Sequence, residues 1–255
     1  MGNILKEKIN NGERVLGAFI NMYAPSLVEI IGYAGFDFII IDDEHGSFSS
    51  SELENMIRAA EIVNMAPVVR VSYNPSSIQK ALDRGAKGIQ VPMVNNEKEA
   101  KDAVEKAKYP PLGNRGTAFS IRPARFGKEK GKEYLEKANM DVLIVVHIET
   151  SEAVKNFREI TSVPGIDVAF IGSTDLAVNM GYSGDTKHAN VQKVIEDLFE
   201  TGKRNGLRMG AVSGNEIGVI EGFSKGASYM GVVANSVIMS SLEKVAKSKK
   251  AEVSS

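Results

Sequence analysis

Eight short apolar runs rich in β-branched residues recur along the chain: VLGAFI (15–20), FDFIII (36–41), APVVRVS (66–72), GIQVPMV (88–94), VLIVVHIE (142–149), DVAFIGS (167–173), RMGAVS (208–213) and YMGVV (229–233). The runs are continuous rather than alternating, which is the pattern of strands covered on both faces, as in a parallel sheet. Between them the period changes. Leu53, Met56, Ile57 and Ala60 fall on one helical stripe, and so do Val191, Val194, Ile195 and Leu198. Asn96 or Glu97 opens a helix, while Gly85 and Gly206 stand just past the ends of others. Eight strand–helix alternations predict a TIM (β/α)8 barrel, one domain over residues 1–255. A doubly wound open sheet ranks second, because no G-x-G-x-x-G follows the first strand. Two stretches break the rhythm. Residues 108–131 are rich in Pro, Gly and Arg and too long for an ordinary connection, which marks a functional or disordered loop. From about residue 247 the chain is polar and is expected to fray.

Composition narrows the function classes. A charged fraction of 25% and a net charge of −1, with both signs mixed, leave no basic stripe for nucleic acid. No apolar run reaches the roughly 20 residues that span a bilayer. The N-terminus lacks the apolar core of a secretory signal, and Lys6 stands where N-myristoylation wants Ser or Thr, so a cytoplasmic location is expected. The absence of cysteine excludes disulfides, thiolate metal sites and cysteine nucleophiles.

Chemistry in such a barrel gathers at the carboxyl ends of the strands, and ionisable residues cluster there. "FIII" runs into Asp42, Asp43, Glu44 and His45; Arg70 interrupts "PVVRV"; His147 and Glu149 close the fifth run; "IGST" leads into Asp175. Glu149 and Asp175 end consecutive strands, roughly 4.8 Å apart in a sheet. Two carboxylates so close repel unless a proton or cation lies between them, and a pair of oxygen ligands favours a hard ion, Mg²⁺ or Mn²⁺. The plainer alternative is that Glu149 starts one helix and Asp175 caps another. His147 points the same way as Glu149 on an extended strand. It is expected to support that ligand by a hydrogen bond; as a third ligand it would favour Co²⁺ or Zn²⁺. Asp42 and His45 meet only if the chain turns at Gly46, and would then make a carboxylate–imidazole base; otherwise they line a wet turn. Arg70 needs an anion, from substrate or from Asp42. Gly172, Ser173, Thr174 and Asp175 offer backbone N–H groups to a substrate carboxylate. None of the eight runs contains lysine, so Schiff-base chemistry is not expected.

"GFDFIIIDDEHG", "VVRV", "GAKGIQVPMV", "YPPLGNRG", "IET" and "FIGSTDLAVNMGY" follow one another as in the HpcH/HpaI aldolase family, which the chain resembles from about residue 14 to 245. The resemblance implies a metal-dependent (class II) pyruvate aldolase acting on 4-hydroxy-2-oxo acids or 2-keto-3-deoxy sugar acids, with a small 2-oxo acid and an aldehyde as its partners. It implies Glu149 and Asp175 as metal ligands, His45 as base with Asp42, and Arg70 on the keto oxygen. Backbone groups of Gly172 to Asp175 would hold the pyruvate carboxylate. It further implies exchange of the C-terminal helix between subunits of a homo-oligomer, a trimer or hexamer. His147 stands where the family usually has Gln, and "GST" where it has "GPA". A citrate-lyase β-type CoA-ester lyase, using the Arg-rich 115–125 stretch for CoA phosphates, and a non-catalytic metabolite-binding barrel are the alternatives.

Overall fold

A computed structural model describes residues 2–250. Eight parallel strands close in sequence order into a barrel. They are β1 (Val15–Ile20), β2 (Phe38–Asp42), β3 (Ala66–Arg70), β4 (Gly88–Val91), β5 (Leu143–Ile148), β6 (Val168–Ile171), β7 (Met209–Ser213) and β8 (Tyr229–Val233). In chain order the helices are α1 (Ile4–Asn10), α2 (Pro25–Tyr33), α3 (Ser50–Ile62), α4 (Ser77–Arg84), α5 (Glu97–Ala107) and α6 (Gly131–Asp141). There follow α7 (Ser151–Lys155), α8 (Phe157–Thr161), α9 (Ser173–Asn179), α10 (Ala189–Arg204), α11 (Glu216–Lys225) and α12 (Ala234–Lys247). Of the polar tail, Ser248–Lys250 form a 3₁₀ turn, and 251–255 lie outside the described residues.

Each apolar run of the sequence holds one strand, with β2 running one residue past its run to Asp42, and register closes the ring through Gly17↔Phe38 on one side of β1 and Val15↔Tyr229 on the other. The strands are shorter than the runs where the backbone forbids pairing. In "GIQVPMV" the ladder stops at Val91, because Pro92 has no N–H and Met93 adopts φ +55°. Helix boundaries follow the local chemistry: Asn96 accepts from the Glu99 N–H, and Gly85 ends α4 at φ +110°.

The core has two large compartments, beside a small cluster of Tyr109, Ala124 and Tyr134 under the long connection. One lies between sheet and helices and takes in the predicted stripes, including Leu53, Met56, Ile57, Ala60, Val191, Ile195 and Leu198. The other fills the barrel with Val15, Phe19, Phe38, Ile40, Val68, Val145, Phe170 and Tyr229, and Leu5 and Ile9 of α1 belong to it. Glycines make room for these rings: a Cβ at Gly17 would overlap Phe38, and one at Gly231 would overlap Phe19.

Residues 109–130 do not close over the barrel mouth. Arg115 pairs with Asp83 of α4 at 2.7 Å, Arg122 with Glu61 of α3, and Arg125 with Glu129 at 3.1 Å. The expected functional loop is therefore strapped along the outer helices, and its three arginines are already matched by carboxylates.

Candidate active site

At the carboxyl ends of the strands a cavity of about 250 Å³ opens. Its walls include Asp42, His45, Arg70, His147, Glu149 and Gly172 to Asp175, so the residues singled out in the sequence share one space. The wall is completed by residues the sequence did not flag, Asn21 and Asn235 among them, joined by a 2.7 Å amide–amide hydrogen bond.

Glu149 is 3% exposed. Its Oε1 accepts the Met93 N–H at 2.7 Å, and its Oε2 meets His147 Nδ1 at 3.1 Å. Burial alone would raise its pKa, but the hydrogen bond and charge of His147, with the Met93 N–H and Arg70, hold it below its ordinary 4.5. The carboxylate is thus ionised at neutral pH in a buried position. Gly172 lies against it, and a Cβ there would overlap its oxygen. Met93, the donor, is a non-glycine residue in the left-handed region, and Asn95 Nδ2 holds its carbonyl at 2.9 Å.

Asp175 sits in the first turn of α9, where backbone N–H groups have no intrahelical acceptors. Its carboxylate has no hydrogen-bond or ion-pair partner among the described residues. The N-cap position is taken by Gly172, so the capping role weighed for Asp175 is not the one it has. Thr150, not Glu149, caps α7.

Asp42 binds Arg70 through two parallel hydrogen bonds, Nε to Oδ1 at 2.8 Å and Nη2 to Oδ2 at 2.6 Å. The turn after Asp42 does bring His45 back, but through its backbone: the Glu44 and His45 N–H groups both donate to Asp42 Oδ1 at 3.3 Å. The imidazole is not hydrogen-bonded to Asp42. Its neighbour is Glu44, with Nε2 3.8 Å from Oε2, and its side chain is 60% exposed. Glu44 is buried and also meets Arg70 Nη1 at 3.2 Å and the Tyr73 hydroxyl at 3.0 Å.

The donor set fits a hard divalent cation in a particular way. Glu149 keeps an unused lone pair on each oxygen, and Asp175 lines the same cavity with its carboxylate unpartnered. Among the described residues no group of three or more His, Cys, Asp or Glu is arranged around one point. Two carboxylates with the remaining positions left to water and substrate is a common Mg²⁺ arrangement.

A closed parallel barrel with its carboxylates gathered at the carboxyl-terminal mouth is an enzyme-type (β/α)8 barrel. Residues 15–237 match the HpcH/HpaI aldolase/citrate lyase family, and the chain belongs to it. It is 35% identical over 227 residues to 2-dehydro-3,6-dideoxy-6-sulfogluconate aldolase of Pseudomonas putida, covering 89% of this chain and 88% of that protein. It is 36% identical over 218 residues to 4-hydroxy-2-oxo-heptane-1,7-dioate aldolase of Escherichia coli, covering 85% of this chain and 82% of that protein. Among solved structures, an HpcH/HpaI aldolase/citrate lyase family protein from Burkholderia cenocepacia J2315 superposes with a TM-score of 0.92 at 28% identity, covering 98% of this chain and 100% of that one. No described helix is long and apolar enough to cross a membrane.

Proposed function

We propose that this chain is a class II pyruvate aldolase, cleaving a 4-hydroxy-2-oxo acid or a 2-keto-3-deoxy sugar acid reversibly into pyruvate and an aldehyde. Aldolase chemistry accords with its family. The observation that carries the finer reading is the shared cavity of Glu149, Asp175 and Arg70, with no lysine in its wall. Without an amine to form a Schiff base, the carbonyl needs another electrophile. A divalent cation, Mg²⁺ or Mn²⁺, held by Glu149 and Asp175 would polarise the 2-oxo group.

The chain's own groups account for the remaining steps. The N–H groups at the start of α9, Ser173 to Asp175, receive the substrate carboxylate. Arg70 is held rigid by Asp42 and keeps donors free for the C2 oxygen, where negative charge develops. His45, at the wet edge of the cavity, takes the C4 hydroxyl proton. The C3–C4 bond then breaks, its electron pair forms the pyruvate enolate, and the aldehyde departs. A proton delivered to C3 completes pyruvate.

The exposed face of α12 supports the oligomeric part of this reading. Met239, Leu242 and Val245 are 59%, 61% and 71% exposed, an apolar row suited to exchange between subunits of a trimer or hexamer.

The decisive experiment supplies pyruvate and a panel of aldehydes, with Mn²⁺ or Mg²⁺ and then with chelator. Aldol adducts that vanish with chelator and return with cation are expected. No adduct, and no pyruvate released from any 4-hydroxy-2-oxo acid, would sink the reading.

A further inference from the structure

The barrel interior is apolar except along one line. From Glu149 a hydrogen-bonded row runs down into the core: His147 Nε2 meets Gln90 Oε1 at 3.2 Å, and Gln90 Nε2 donates to the Tyr229 hydroxyl at 3.0 Å. Gln90 and Tyr229 are 0% exposed and His147 is 1%. Gln90 is on β4 and Tyr229 on β8, which stand on opposite sides of the ring, so the row crosses the full width of the barrel. Aromatic contacts fix its members. The His147 ring stacks on Phe170 at 4.7 Å and 24°, and Tyr229 stacks on Phe38 at 4.3 Å and 26°.

Such a row is expensive where it lies. An amide and a hydroxyl taken out of water are stabilised only if every partner is in place, and apolar residues of similar volume would fill the same space without that demand. Gln90 does not itself line the cavity, so substrate does not meet it directly. What the row does accomplish is geometric. An imidazole carrying one hydrogen bond can swing about its Cβ–Cγ axis. With both ring nitrogens engaged and one face stacked, it cannot. Glu149 Oε2 then has a fixed neighbour, while Oε1 is fixed by Met93, and the free lone pairs of both oxygens have one direction.

We propose that Gln90 and Tyr229 are positioning residues that act through His147 to aim the Glu149 carboxylate at its cation. This rests on the reading of Glu149 as a cation ligand. The row would make this chain's ligand support depend on a residue pair deep in the core, remote from the reacting atoms.

The test measures Mn²⁺ binding without substrate, from the free-ion EPR signal, in wild type, Gln90→Leu and Tyr229→Phe. A parallel NMR measurement on metal-free protein follows exchange of the His147 ring N–H with water. The chain has three histidines, so His147→Gln assigns the signal by its loss. Gln90→Leu is expected to weaken Mn²⁺ binding about 10–100-fold, as removal of a ligand's hydrogen-bond support does elsewhere, and to speed ring-proton exchange. Tyr229→Phe removes one oxygen atom and no volume of consequence. It gives a smaller loss in the same direction, and serves if Gln90→Leu does not fold. Ring exchange that accelerates while Mn²⁺ affinity stays at the wild-type value overturns the proposal and leaves the cation site standing. Wild-type protein that binds no Mn²⁺, with its ring proton still protected, overturns the cation reading and the proposal with it.

Discussion

The two ends of this barrel are built from the same residue types and do opposite things with them. At the amino-terminal end, charges are consumed by structure. Lys6 bridges Asp167 at 3.1 Å and the Val142 carbonyl at 2.7 Å, Lys8 pairs with Asp37 at 2.7 Å, and Asn3 ties the carbonyls of Lys87 and Asp141. Leu5 and Ile9 of α1 seal the interior beneath. At the carboxyl-terminal end, Asp42 and Glu44 share a single arginine, Arg70, while Glu149 and Asp175 line the same cavity with no lysine or second arginine in its wall. A fold seeking only stability would not leave carboxylates in such excess, and the imbalance is what marks the upper end as the site.

The contrast can be broken from either side. The largest effect is expected from Glu149→Gln: turnover falls on the order of 10³-fold or more, the equivalent of several kcal/mol of lost electrostatic stabilisation, with the fold retained. A steady-state assay beside a thermal melt checks both halves. Ile9→Ala at the lower end is expected to reverse the pattern, costing about 2–5 kcal/mol of stability with kcat preserved at moderate temperature. Denaturant titration measures it.

Arg70→Lys should cost about 10–100-fold in kcat/KM, because a point charge cannot reproduce the double hydrogen bond to Asp42 while serving the C2 oxygen. A loss under threefold would show that the fork geometry is unimportant.

The smallest effects are in pH dependence, and the two ends should differ in sign. Glu149 has a depressed pKa, so its stabilisation is present above the unfolded value and fades as pH falls through the folded one. The stability difference between wild type and Glu149→Gln should change only below about pH 4.5, against the wild type. Lys8 is raised above 10.5, first by its hydrogen bond to Asp37. Its contribution is complete below 10.5 and is lost as pH climbs through the folded value, so Lys8→Met should differ from wild type only on the near side of that alkaline limb. Water screens this partly exposed pair, and the difference should be slight. Melting curves across pH measure both.

The strand count, the barrel and the cluster of carboxyl-end charges were legible because each rests on local pattern. Pairing was not. Spacing put Asp42 near His45 and also near Arg70, and only the register Asp42↔Arg70 between β2 and β3 shows which partner takes both oxygens. Glu44 reads as one more loop carboxylate until the fold buries it. Gln90 did leave a signal: it interrupts "GIQV" as Arg70 interrupts "VVRV", though its partner lies 139 residues away on the far side of the ring. The path of the 108–131 stretch was not legible, because an arginine-rich loop looks the same whether its charges meet ligand or neighbouring helices.

Rings and branched chains packed through the interior make this barrel a cup, not a tube. Whatever enters must come back by the same door, and in the proposed reaction the fragment beside water-exposed His45 would stand nearer that door than the one lodged against Glu149.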